Sequence, residues 1–165
     1  MKQISKKRNL AMTTPQTDAT SLVRQVSIDA PVATVFKYLV DPALMTKWMG
    51  QACIFEPFEG GEYRCEINET IVAGGKVLEV VQDQKIVYTF GWEGGENPVA
   101  VGSSKVEITL EENDGSTLVK LTHSELVAAV EEHGGGWDHY LSRLAIAATG
   151  GDAGPDPVAN PPENA

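Results

Sequence analysis

Apolar and polar side chains alternate between Leu22 and Asp29, with Val26 and Ile28 on one face, and this period of two predicts a strand. From Ala30 the spacing lengthens. Val32, Val35, Phe36 and Leu39 fall at i, i+3, i+4 and i+7, the apolar face of a short helix. Pro31 suits its first turn, and Asp29 stands before it as a candidate cap. Asp41-Pro42 ends it, and residues 43–49 read as a second short helix with Leu44 and Trp48 on one side.

The period of two then returns. Residues 53–58 reach the turn Glu59-Gly60-Gly61 and residues 63–67 alternate out of it, a hairpin whose glycines supply positive φ. A strand is expected over residues 76–81, after Gly74-Gly75, followed by the turn Gln82-Asp83-Gln84. Residues 86–92 form the most apolar strand, and 94–102 form a loop containing Asn97-Pro98. Residues 105–111 alternate cleanly, Asn113-Asp114-Gly115 turns the chain, and residues 117–123 pair back. Hairpin-length turns make the sheet antiparallel, and the lack of strand–helix alternation excludes a doubly wound fold.

Trp137, Tyr140, Leu141, Leu144, Ala145 and Ala148 form one apolar stripe, predicting a last helix that starts near Trp137 and ends at Gly150-Gly151. Such a stripe must be buried, and the sheet is its partner. The expected architecture is an α+β helix-grip fold: a curved antiparallel sheet of about seven strands around a long C-terminal helix, with two short helices after the first strand.

Composition adds the ends. Residues 1–21 are polar and carry Lys2, Lys6, Lys7 and Arg8, and residues 150–165 are rich in Gly and Pro; both read as disordered tails around a domain spanning 22–149. The apolar run Leu10-Ala11-Met12 is too short for a secretory signal, and no stretch is long enough for a membrane span. The net charge of -10 argues against nucleic acid, since the acidic core would repel phosphate. Cys53 and Cys65 are the only cysteines, which with no export signal points to free thiols in the cytoplasm.

Little of the candidate chemistry forms a motif. His123, His133 and His139 show neither H-E-x-x-H nor cysteine pairing, so no metal or cofactor is expected. His133-Gly134-Gly135-Gly136 imitates an esterase oxyanion loop, but the chain has no G-x-S-x-G elbow, and the glycines read instead as a hinge before the last helix. Tyr63, Cys65 and Ile67 share one strand face, opposite Arg64 and Glu66; the apolar set is expected inward. Tyr88, Phe90 and Trp92 share another face, as do Val106 and Ile108. His123 lies on the face of Val119 and Leu121, as a hydrogen-bonded core residue or as a ligand-contact or proton-transfer group. Trp48, Trp92 and Trp137 sit at element ends, where a cavity mouth would form.

Five segments, "IDAPVATVFKYLVDPALMTKWMG", "PFEGGEYRCEI", "GGKVLEVVQDQKIVYTFGWEG", "SSKVEITLEENDGSTLVKLTHSEL" and "HGGGWDHYLSRLA", occur in the order of the START-like (SRPBCC) superfamily. They most resemble its bacterial group similar to the C-terminal domain of the activator of Hsp90 ATPase. The resemblance implies a cavity between sheet and last helix that takes a small apolar or amphipathic molecule. Its candidate walls are Trp48, Tyr63, Cys65, Ile67, Tyr88, Phe90, Trp92, Val106, Ile108, His123, Trp137, Tyr140, Leu141 and Leu144. It supplies no catalytic motif. A cyclase-, dehydratase- or hydrolase-like activity using His123 or Glu66 is the alternative reading, and a chaperone-associated module the second; for the latter, residues 1–21 hold no room for the activators' further domain. Either a monomer or a homodimer fits.

Overall fold

The computed structural model describes residues 20–160. The basic cluster expected in the N-terminal tail lies outside them. Strand β1 (Leu22–Ile28) is followed by helices α1 (Val32–Val40) and α2 (Pro42–Met45). Then come β2 (Ala52–Phe55), β3 (Glu62–Glu66), β4 (Val72–Val81), β5 (Lys85–Phe90), β6 (Ser104–Asn113) and β7 (Ser116–Ser124), and finally helix α3 (Val130–Ala148). The strands form one seven-stranded sheet in the order β1-β7-β6-β5-β4-β3-β2, with every pairing antiparallel. The α1–α2 excursion is what lets β1 cross to the far edge beside β7, while the remaining strands follow one another as hairpins.

Local chemistry explains most boundaries. Asp114 (φ 53°) and Gly115 (φ 84°) both adopt the left-handed conformation that a two-residue hairpin turn requires between β6 and β7. Asp41 accepts from the Ala43 N–H at 3.0 Å and so caps α2, where Pro42 fills the first turn. Asp29 does not cap α1. Pro31 occupies that position, and the Asp29 carboxylate instead accepts from Ser116 Oγ at 3.2 Å. Gly74 and Gly75 lie inside β4 rather than before it, because a Cβ at Gly75 would collide with the Thr89 carbonyl of β5.

One face of the sheet holds the core. Tyr63 and Cys65, Tyr88 and Phe90, Val106 and Ile108, and Val119 and Leu121 are all buried, and α3 covers them with Trp137, Tyr140, Leu141 and Leu144. Arg64 and Glu66 fall on the opposite face, where Arg64 pairs with Glu93 at 2.8 Å.

Helix α3 begins seven residues before the expected start near Trp137, and Gly134-Gly135-Gly136 is therefore helix, not hinge. Three consecutive glycines weaken a helix by about 1 kcal/mol each relative to alanine. Burial of the Trp137–Leu144 stripe offsets that cost. Gly134 has a steric reason: the Arg24 guanidinium of β1 crosses it to reach Asp138 at 2.8 Å, and a Cβ there would overlap Arg24 Nη2. Gly135 has no atom within 4 Å of a Cβ position.

Residues 150–160 lack helix and strand but are tied to the core. The Arg143 guanidinium donates to the carbonyls of Ala153 at 3.1 Å and Gly154 at 2.9 Å, and its Nε to that of Trp48 at 3.0 Å. Asp156, only 9% exposed, accepts from the Tyr140 hydroxyl at 2.6 Å, His139 Nε2 at 2.8 Å and the Val158 N–H at 3.0 Å. Burial pushes its carboxyl pKa up, yet these bonds outweigh burial and hold it below the usual carboxylate range.

Two glycine substitutions should separate in sign. Gly135→Ala should stabilise the protein by about 1 kcal/mol. Gly91→Ala, whose Cβ would strike the Ala100 carbonyl, should destabilise it by about 1–3 kcal/mol. Urea denaturation of both variants measures this, and a destabilised Gly135→Ala would restore the hinge.

Candidate functional site

A chain of side-chain hydrogen bonds runs through the core. Trp137 donates its indole N–H to His123 Nδ1 at 3.0 Å. Since Nδ1 accepts, the ring proton resides on Nε2, which donates to Ser104 Oγ at 2.8 Å. The Ser104 hydroxyl donates onward to the Phe90 carbonyl at 2.7 Å. Helix α3 is thereby joined to β7, β6 and β5 in one line. Burial, with His133 nearby, lowers the His123 pKa to about 3, so the ring stays neutral throughout the physiological range.

A second chain lies beside it. His133, one turn before Trp137 on α3, donates Nδ1–H to the Ala129 carbonyl at 2.7 Å, leaving Nε2 to accept the Trp92 indole N–H at 3.0 Å. Phe90 packs edge-on against both Trp92 and His123, with ring centroids 5.2 and 4.9 Å away. The loop carrying Trp92 is fixed by backbone bonds from Trp92 N–H to the Val99 carbonyl and from Glu93 N–H to that of Val72, at 2.8 and 2.9 Å. The Asn97 side chain accepts from the Val99 N–H at 2.9 Å and shapes its tip.

These groups enclose a cavity of about 370 Å³. Phe90, Trp92, Asn97 and Pro98 line it, and Met49 contributes from beyond α2. The N-cap residue Ala129 and the α3 residues Glu132, His133, Gly136, Trp137 and Tyr140 complete the lining. Counted from Ala129, these are i, i+3, i+4, i+7, i+8 and i+11, a single helical stripe. Trp92 and Asn97 also border a smaller cavity of about 200 Å³, so the indole stands between the two.

The family profile described as "Activator of Hsp90 ATPase homolog 1-like protein" matches residues 29–149. The chain belongs to that family. An AHSA1-like protein of Rhizobium etli, solved in solution, shares 41% identity with it over 88% of this chain and 92% of its own, at a TM-score of 0.67. CalU16 of Micromonospora echinospora is 26% identical, covering 85% of this chain and 79% of its own, at a TM-score of 0.65. The Aha1 dimer of Colwellia psychrerythraea, at 18% identity, 79% and 97% coverage and a TM-score of 0.67, shares the fold. No curated protein matches the chain.

Within this AHSA1-like domain the sequence-derived candidates separate into two groups. Phe90, Trp92, Trp137 and Tyr140 line the cavity. Tyr63, Cys65, Ile67, Tyr88, Val106, Ile108, His123, Leu141 and Leu144 are buried around it as packed core. Trp48 is also buried, its indole N–H donating to the Tyr38 carbonyl at 2.8 Å. The Tyr63 hydroxyl is buried with no hydrogen-bond partner among the described residues. Met49, Asn97, Pro98, Ala129, Glu132, His133 and Gly136 line the cavity without having been selected from sequence. For the α3 residues a signal existed: the helical period of Trp137 and Tyr140 extends backward through Gly136, His133 and Glu132 to Ala129.

The His123 chain has a pH signature. The imidazole titrates near 6.5 when unfolded and near 3 when folded, so between these values the unfolded state binds the extra proton. Stability is therefore complete above pH 6.5 and falls as pH drops toward 3, with this group contributing a slope of up to about 1.4 kcal/mol per pH unit. Equilibrium unfolding across this window should show a shallower slope in His123→Gln than in the parent. Equal slopes would remove His123 as the source.

Proposed function

We propose that this chain binds a small apolar or amphipathic molecule in the cavity between α3 and the Trp92 loop. The observation that carries the reading is the wall itself: Phe90, Trp92, Pro98, Trp137 and Tyr140 enclose a volume in the usual range for ligand pockets. Asn97 and Glu132 supply polar groups, and Glu132 is exposed, which suits a ligand with an apolar body and a polar end. Burying about 250 Å² of ligand surface contributes about 6 kcal/mol before the costs of association.

Binding fits the side-chain chemistry better than catalysis. Both ring nitrogens of His123 and of His133 are already committed to hydrogen bonds. Glu66, the other acid–base candidate, lies on the face opposite the Tyr63–Cys65 core. A general base needs a free lone pair within reach of its substrate, and neither imidazole offers one in this arrangement. Among the described residues no helix is long and apolar enough to cross a membrane. The acidic composition and free thiols support a carrier or sensor in a reducing, cytoplasmic setting.

Gly136 gives a direct test, because it lines the cavity and no atom lies within 4 Å of a Cβ placed there. Titration with the fluorescent apolar probe anilinonaphthalene sulfonate should show saturable binding to the parent chain. Gly136→Leu should weaken it at least tenfold while leaving the melting temperature unchanged or higher. Equal probe affinity in the two proteins would place binding elsewhere.

A further inference from the structure

Cys53 and Cys65 stand directly opposite each other in the β2–β3 ladder. The Glu56 N–H bonds the Glu62 carbonyl at 3.0 Å, which makes position 56/62 a hydrogen-bonded pair and, by alternation, 53/65 a non-hydrogen-bonded one. At such positions Cα atoms approach to about 4.5 Å, within the span a disulfide bridges. The two sulfurs are 3.4 Å apart. Both point toward the Met49 carbonyl, at 3.3 Å from Cys53 and 3.6 Å from Cys65. Gly50, with φ of 87°, turns the chain so closely over the pair that a Cβ there would meet the Cys65 sulfur at 2.6 Å. Proposed ligand binding makes no use of either thiol.

We propose that Cys53 and Cys65 form a reversible dithiol site that closes to an intramolecular disulfide through exchange with a low-molecular-weight disulfide such as glutathione disulfide. The two sulfurs have different roles because their surroundings differ. Cys53 is half-buried and reachable from solvent, whereas Cys65 is fully buried and is reached only by its partner. The hydrogen bond from Cys65 holds the Cys53 thiol below its ordinary pKa, while that bond together with burial pushes Cys65 well above it. Cys53 thiolate attacks one sulfur of the small disulfide, forming a mixed disulfide and expelling one glutathione thiolate. Cys65, its proton passing to that leaving thiolate, then attacks Cys53 and expels the second glutathione. The chain loses two protons and two electrons, and one glutathione disulfide becomes two glutathione thiols. Closure also removes both S–H protons from beside the carbonyl of Met49, a residue of the cavity wall.

The experiment is exposure of the full chain to glutathione disulfide, followed by intact-mass measurement and non-reducing peptide mapping. The parent should lose two hydrogens, retain no glutathione, yield a Cys53–Cys65 linked peptide and revert with dithiothreitol. Cys65→Ser should accumulate a stable glutathione adduct on Cys53, and Cys53→Ser should react at least tenfold more slowly than the parent. A parent chain that stays reduced, or that keeps a stable adduct with Cys65 free, would overturn the proposal. The parent result and Cys53→Ser decide it even where Cys65→Ser fails to fold.

Discussion

A neutral imidazole held between an indole N–H and a serine hydroxyl fixes how α3 sits on the sheet. His123 is fully buried, and each of its nitrogens has one partner of the complementary kind. Losing either partner would strand a buried donor or acceptor at a cost of about 1–3 kcal/mol. That directional demand is what apolar packing lacks: Leu141 and Leu144 hold the helix down, but the Trp137–His123 bond sets its rotation about its own axis. With that rotation set, the stripe from Ala129 to Tyr140 must face the Trp92 loop. The cavity is thus a consequence of the core, positioned by a hydrogen bond deeper than any of its walls.

Periodicity made the sheet and the buried half of α3 legible, because burial on one face imposes a period that the sequence displays. The β3 alternation placed Tyr63 and Cys65 inward and Arg64 outward without any knowledge of neighbours. The first two turns of α3 were hidden by Gly134-Gly135-Gly136, since local propensity there favours a break. What overrides it is non-local. Arg24 arrives from β1, more than a hundred residues earlier, to cross Gly134 and pair with Asp138. No window of the sequence around the glycines contains that information. The walls supplied by Met49, Asn97 and Pro98 were hidden for the same reason, lying in segments whose placement depends on tertiary contacts.

The segment after α3 carries contacts that its composition does not display. Gly150-Gly151 and the following prolines cannot continue a helix, and that much is local chemistry. Attachment comes from the polar positions of α3. Arg143 has enough donors to hold the Trp48 carbonyl on one side and the carbonyls of Ala153 and Gly154 on the other. Asp156 then closes on Tyr140, a cavity residue, so this non-repetitive stretch supports the wall from behind.

The same satisfied hydrogen bonds that build the site limit its chemistry. An active-site histidine must keep a nitrogen free to exchange a proton with its substrate. Here Trp137 occupies Nδ1 of His123, Ser104 its Nε2, Trp92 occupies Nε2 of His133, and the Ala129 carbonyl its Nδ1. Each indole N–H in the wall is likewise spent on a ring nitrogen. What remains facing the space is aromatic surface, Met49, Pro98 and the bare backbone of Gly136, with Glu132 exposed beside it. Apart from Asn97 and Glu132, the polar groups of this wall are already paired, so in the proposed binding role it rewards apolar area and shape and discriminates weakly between ligands of similar size. Under the proposed binding role, selectivity rests on the shape that the Trp92 loop and α3 leave between them, framed by the His123 and His133 bonds.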